Sequence, residues 1–194
     1  MINKQLEKYN IILGSASKRR KKLLESLEIK FSVMVSDEDE SYIENSKKDK
    51  IAEFLAEQKS KKIEKKLESD YILITADTIV CHQGNILHKP KSKEEALETL
   101  QKISGKNHDV ITGVCIKSRN EKIIFSCKTE VFFYRLSNES INFYLENYHP
   151  YDKAGSYGIQ EWIGMIGIKK IIGSYNNVVG LPTAKLYQNL KSFI

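Results

Sequence analysis

"IILGSASKRRKKLLESL", residues 11–27, runs an apolar triplet straight into a helix with a basic start. Ile11, Ile12 and Leu13 read as a short buried strand. Ser17 stands where an N-cap belongs, and Leu23, Leu24 and Leu27 recur as an apolar helical stripe from about Lys18. A strand joined to a helix by one tight polar turn is the unit from which α/β sheets are built. The first helical turns carry Lys18, Arg19, Arg20, Lys21 and Lys22. A helix N-terminus already bears roughly half a positive charge, so cations are unfavourable there. Either these side chains point into water, or something strongly anionic is held at this junction.

Outward from this unit, helical and extended patterns alternate. "FSVMVS" (31–36) alternates as a strand does, and the acidic, polar "DEDESYIENSKK" (37–48) reads as a loop. A helix is expected from about Lys50 to Lys66, with Ile51, Phe54, Leu55 and Ile63 on one face. "YILIT" (71–75) is a continuous apolar run, the mark of a strand buried on both faces, and "HQGNI" (82–86) looks like a hairpin. Ser92 and Glu95 form a capping box before a helix bearing Ala96, Leu97, Leu100 and Ile103, with Gly105 as its C-terminal cap. Two strands, 108–117 and 122–136, flank the turn "SRNE". A short helix (140–147), a glycine-containing loop, a last strand "MIGIKKII" (165–172) and a terminal helix in "LPTAKLYQNL" (181–190) complete the chain. Crossovers and hairpins both occur, so the expected fold is α/β with a mixed sheet.

The 194 residues suffice for one domain, 1–194, with a sizeable core. The net charge of +6 favours anionic partners without choosing among nucleic acid, acidic membranes and phosphorylated small molecules. Cys81, Cys115 and Cys127 are scattered and odd in number, as in a reducing cytoplasm. No N-terminal segment reads as a signal peptide, and no run approaches the ~20 apolar residues of a membrane span. The expectation is a soluble cytoplasmic protein without membrane attachment.

Several chemistries drop out. Residues 14–18 lack the GK[ST] ending of a P-loop, and no GxGxxG follows a strand. His82, His88, His108 and His149 have neither HExxH nor zinc-finger spacing, and no GxSxG elbow is present. What remains are polar residues at the ends of apolar runs. Hydroxyls, backbone N–H groups and two arginines in the 15–20 turn suit a polyphosphate, although a solvated basic face looks similar. Asp77, just beyond "YILITA", stands at the end of a buried strand, where α/β proteins place ligands; a structural turn aspartate is the bland alternative. Lys89 precedes Pro90 in an extended segment, and Lys59 lies on the 50–66 helix; either could be ordinary surface. "KAGSYGIQ" (153–160) has glycines that admit a ligand close to the backbone, and Gln160 offers both a donor and an acceptor.

In order, "LGSASKRRKKLLESL", "FSVMVSDEDE", "LAEQKS", "ADTIV", "KPKSKEEALETLQKISGKNHDVITGV", "DKAGSYGIQ" and "GSYNNVVGLP" resemble the Maf family of nucleoside triphosphate pyrophosphatases, also described as septum-formation inhibitors. The likeness extends over nearly the whole chain. It implies a mixed central sheet flanked by helices, with two lobes around a cleft, similar to inosine-triphosphate pyrophosphatase-like folds. It also implies cleavage of a nucleoside triphosphate between its α- and β-phosphates. Asp77 then matches the catalytic acidic residue, and Ser15, Arg19, Arg20, Glu40, Lys59 and Lys89 match polar positions of the cleft. Arg19, Thr78 and Gln160 resemble the selectivity positions of the branch acting on dTTP and UTP, to which modified pyrimidine nucleotides are a natural extension. Asp77 with Glu40 would hold a divalent cation, Mg²⁺ or Mn²⁺, since oxygen ligands suit hard ions. A homodimer is implied as well. Lys18 stands where the family usually has proline, His88 where glycine or another residue is common, and "EWIGMIG" (161–167) where the family is usually glycine-rich. The competing expectation is a basic binding or regulatory protein acting in cell division through nucleic acid or protein partners. The acidic 37–40 segment and the lack of an aromatic-rich basic strand argue against nucleic acid.

Overall fold

The computed structural model describes residues 2–35, 47–68 and 70–193. In chain order they form α1 (Ile2–Leu6), β1 (Asn10–Leu13), α2 (Lys18–Glu25), β2 (Ser32–Val33), α3 (Lys48–Glu64), β3 (Tyr71–His82), β4 (Asn85–Leu87) and α4 (Lys93–Ile103). There follow β5 (Asn107–Lys117), β6 (Lys122–Phe133), α5 (Asn138–Tyr148), α6 (Trp162–Gly167), β7 (Ile168–Ile172), α7 (Tyr175–Val179) and α8 (Thr183–Phe193). Among the described residues the strands run β2-β1-β3-β5-β6-β7, with β4 added to β3. β1 is parallel to β2 and β3, whereas β3–β4 and β6–β7 are antiparallel, so the sheet is mixed.

The chain forms two compact units, and the long strands β3, β5 and β6 contribute residues to both. The first comprises Met1–Asp77, Thr112–Cys127 and Gly180–Ile194; the second comprises Thr78–Ile111 and Lys128–Val179. In the first unit Ile11 and Leu13 pack with Ile72, Ile74, Val114 and Ile116, and with Leu186 and Leu190 of α8. The opposite parity of β1 and β3 supplies a second cluster, Ile12 and Leu73 with Ile63 of α3. Both faces of these strands are therefore buried, which is why "YILIT" is apolar without alternation.

In the second unit β3 turns into β4 through Gln83 and Gly84, both at positive φ, with His82 opposite Asn85. That is the two-residue turn whose twist matches a hairpin. Ala96, Leu100 and Ile103 of α4 pack with Val110, Val131, Ile141 and Leu145. The Ser92 hydroxyl accepts from Glu95 N, as a capping box requires, but Glu95 Oε2 takes the N–H of Lys91 in place of that of Ser92.

Some boundaries differ from the sequence expectations. β3 runs through Ala76 and Asp77 to His82, so Asp77 lies within the strand and not at its end, and of the described residues 31–35 only Ser32 and Val33 form β2. The expected strand 165–172 begins as a helix: α6 ends at Gly167 and β7 starts at Ile168. Apolarity alone cannot separate these states. Met165, 79% exposed, and Ile166 face outward, while Ile163 and Gly167 are buried at helical spacing. The short helices α1 and α7 have too few residues for a periodic signal, and neither was anticipated.

Candidate active site

In the first unit the parallel register Leu13↔Ile74 extends one step further through Gly14 N to Ile74 O at 2.8 Å. Ser15 and Asp77 thus leave the β1–β3 pair at the same end. Gly14 makes this approach possible, because a Cβ there would lie 2.5 Å from Thr75 Cγ2 and 2.7 Å from Ile63 Cδ1. Buried Ser15 accepts hydrogen bonds from Ser17 N (3.3 Å) and from Arg20 Nη1 (3.2 Å). Ser17 caps α2 by accepting from Arg20 N. Arg20 Nε donates to Gly180 O at 2.9 Å, which fixes the plane of the guanidinium. Arg19 and Arg20 are half-buried, while Lys18, Lys21 and Lys22 are exposed. One helix face turns the arginines inward and leaves the lysines to water.

Thr75 Oγ1 donates to Ala56 O at 2.6 Å, tying β3 to α3. Lys59 lies three residues beyond Ala56, and Asp77 two beyond Thr75. The tie places them together, Lys59 Nζ standing 2.5 Å from Asp77 Oδ1 and 3.5 Å from Ala76 O. Their side chains are only 16% and 14% exposed. Two oriented hydroxyls, an anchored guanidinium and a carboxylate paired with an ammonium group occupy one end of the β1–β3 pair. Such a set can take up a polyanion and accept a proton beside it.

In the second unit Thr78 and Gln160 are half-buried, and Lys89 is exposed before buried Pro90. Glu40 lies outside the described residues. Around Gln160 the structure adds a cluster that the sequence did not reveal. Lys153 is 8% exposed, with Nζ 2.6 Å from Asp152 Oδ1 and 3.2 Å from Glu161 Oε1. Tyr144 donates its hydroxyl to Glu161 Oε2 and accepts from Gly158 N at 3.0 Å. Burial, reinforced by that carboxylate, pushes the Tyr144 phenol well above its ordinary range. The adjacent Asp152–Lys153 pair was the only available hint, and charge adjacency does not foretell burial.

No helix among the described residues is long and apolar enough to cross a membrane. No described group of three or more His, Cys, Asp or Glu residues is placed to hold a metal ion. The family model described as Maf-like protein matches residues 10–193. The chain is 45% identical over 194 residues to the dTTP/UTP pyrophosphatase of Flavobacterium johnsoniae, covering 100% of each. It is 49% identical over 191 residues to that of Porphyromonas gingivalis strain W83, covering 97% of this chain and 96% of the other. A remote likeness, at 10% identity and a TM-score of 0.42, covers 66% of this chain and 74% of a dITP/XTP pyrophosphatase from Mycobacterium abscessus.

Proposed function

The chain belongs to the Maf family, and from that premise we propose that it hydrolyses dTTP and UTP to the nucleoside monophosphate and pyrophosphate. The observation that carries the proposal is the Asp77–Lys59 pair, just past the end of the β1–β3 pairing that also presents Ser15 and Arg20. A nucleoside triphosphate brings about four negative charges, and its cleavage needs neutralisation and an in-line nucleophile more than covalent chemistry. Arg20, held edge-on by Gly180 O and Ser15, offers a pre-oriented fork to phosphate oxygens, and Arg19 adds a second. The cations crowded at the start of α2 thereby acquire a purpose. Asp77 takes a proton from the water that attacks the α-phosphorus. The new P–O bond forms as the bond to the bridging oxygen breaks, and pyrophosphate leaves. Lys59 orients the Asp77 carboxylate. Lys89 contributes charge to the phosphates, and Thr78 with Gln160 reads the nucleoside.

The site chemistry fits a divalent cation: Asp77 is a hard oxygen donor, and among the described residues neither histidine nor thiolate is a hydrogen-bonding partner of it. Asp77 and Glu40 would hold the ion, with Mg²⁺ the best match and Mn²⁺ next. When bound, it would supply charge neutralisation at the phosphate oxygens. The proposal extends to a cytoplasmic homodimer, testable by fractionation and sedimentation; three scattered cysteines accord with a reducing compartment.

The decisive experiment measures pyrophosphate and orthophosphate from a panel of nucleotides with Mg²⁺. Pyrophosphate from dTTP and UTP is expected, with turnover at least ~100-fold lower in Asp77→Asn, which keeps shape but loses basicity. Orthophosphate as the product, or near-full turnover by folded Asp77→Asn, would refute the reading. A basic binding protein would release neither product and would bind nucleic acid with a steep salt dependence.

A further inference from the structure

Glu161 opens the "EWIGMIG" stretch, and three groups converge on its carboxylate. Oε1 receives Lys153 Nζ (3.2 Å) and, at a long 3.4 Å, Nε2 of Gln160; Oε2 receives the Tyr144 hydroxyl. The same hydroxyl takes the N–H of Gly158, so backbone and side chains of 158–161 are tied into one assembly. Gly158 leaves it room, since a Cβ there would lie 2.6 Å from Glu161 Cδ and 2.7 Å from Gln160 Nε2. A carboxylate only accepts, so the Gln160 amide must face it with its NH₂. The flipped amide would oppose two acceptors. That leaves Gln160 Oε1 buried and without a partner among the described residues.

We propose that Glu161 is a positioning residue that locks the Gln160 carboxamide in one orientation and thereby makes the protein read uracil and thymine against cytosine. The inference rests on the reading that Gln160 meets the base. Uracil and thymine present an N3–H donor beside an O4 acceptor. Gln160 Oε1 accepts the first, and the second hydrogen of its NH₂ reaches the other. Cytosine reverses the pattern, with an N3 acceptor beside an N4 amino donor, and would need the flipped amide. Glu161 forbids the flip. Mismatched polar groups in a closed site discriminate by powers of ten, which hydrophobic fit cannot do.

The test compares kcat/KM for UTP, dTTP and CTP in the wild-type protein, Glu161→Gln, Tyr144→Phe and Gln160→Leu, each checked for folding by thermal melting. A glutamine at 161 can turn either its carbonyl or its NH₂ toward Gln160, so both amide orientations become available. The UTP:CTP efficiency ratio is expected to fall at least ~10-fold in Glu161→Gln, with UTP losing mainly through a raised KM and CTP gaining. Tyr144→Phe, which keeps the charge but loosens the carboxylate, should shift the ratio the same way by a smaller factor. It carries the test should Glu161→Gln not fold. An unchanged ratio in the folded variants overturns the lock. If Gln160→Leu abolishes base preference while Glu161→Gln and Tyr144→Phe keep it, only the lock fails. Unchanged preference in Gln160→Leu removes the underlying base-reading role and the lock with it.

Discussion

At the residue scale, the Lys59–Asp77 pair couples function to stability. Both side chains are mostly buried, so removing one strands the other charge in a poorly solvated position. Lys59→Met is expected to cost about 3 kcal/mol in urea unfolding. Asp77→Asn added to it should cost less than the two losses combined, because the second change removes a charge already orphaned. Exposure also separates neighbours on α2. Arg19 is half-buried and Lys18 is exposed, so Arg19→Ala should lower kcat/KM for UTP by about 10-fold or more, against little for Lys18→Ala. Equal effects of the two would mean that Arg19 does not meet the triphosphate. Ser17 as N-cap was legible from residue type and spacing, whereas Asp77, expected at a strand end, lies within β3. Lys153, buried and paired, was not, since nothing local marks a lysine for burial.

At the element scale, Gly14 sets how closely β1 can approach β3 and α3. Gly14→Ala should push Thr75 and Ile63 apart, loosening the Thr75–Ala56 tie that places Lys59 against Asp77. The expected result is a protein destabilised by about 1–3 kcal/mol, with a loss of turnover exceeding that of any change in KM. A wild-type-like melt with wild-type kcat would show that the junction tolerates the extra carbon. The Ser92 cap is a contrasting case. Ser92→Ala should cost about 1 kcal/mol in the melt and leave base preference alone, since the cap's contacts are local to the start of α4. Capping, hairpin and stripe signals all act within a few residues, and those elements appear where the sequence placed them. The helix at 162–167 was misread because its outward face carries Met165 and Ile166.

At the scale of the whole molecule, acid should unfold the protein through a histidine that takes no part in the chemistry. His108 is buried against Tyr157, whose hydroxyl lies 2.7 Å from Nε2. Burial, aided by nearby His82, pushes its imidazole down to about 3. The unfolded chain titrates near 6.5, so between these values it binds a proton that the folded chain refuses. This contribution to stability is complete above about pH 6.5 and is lost as pH falls toward 3, by roughly 3–5 kcal/mol in all. Urea midpoints measured from pH 7 to pH 4 should fall accordingly, and a folded His108→Gln variant should show a flatter profile. An equal slope in that variant would assign the acid sensitivity to other groups.

By itself the sequence determined the order of the longer strands and helices, the doubly buried character of β3, the basic turn at 15–20 and the membership that its ordered motifs imply. These properties depend on neighbours within a turn or two, and on side-chain chemistry that burial does not change. The tertiary structure alone decided which cations turn inward, that Lys59 reaches Asp77, and that Glu161 gathers Lys153, Tyr144 and Gln160. Each of these depends on where distant segments pack. The local pattern that makes a helix or strand leaves open which side chains end up sharing one buried charge.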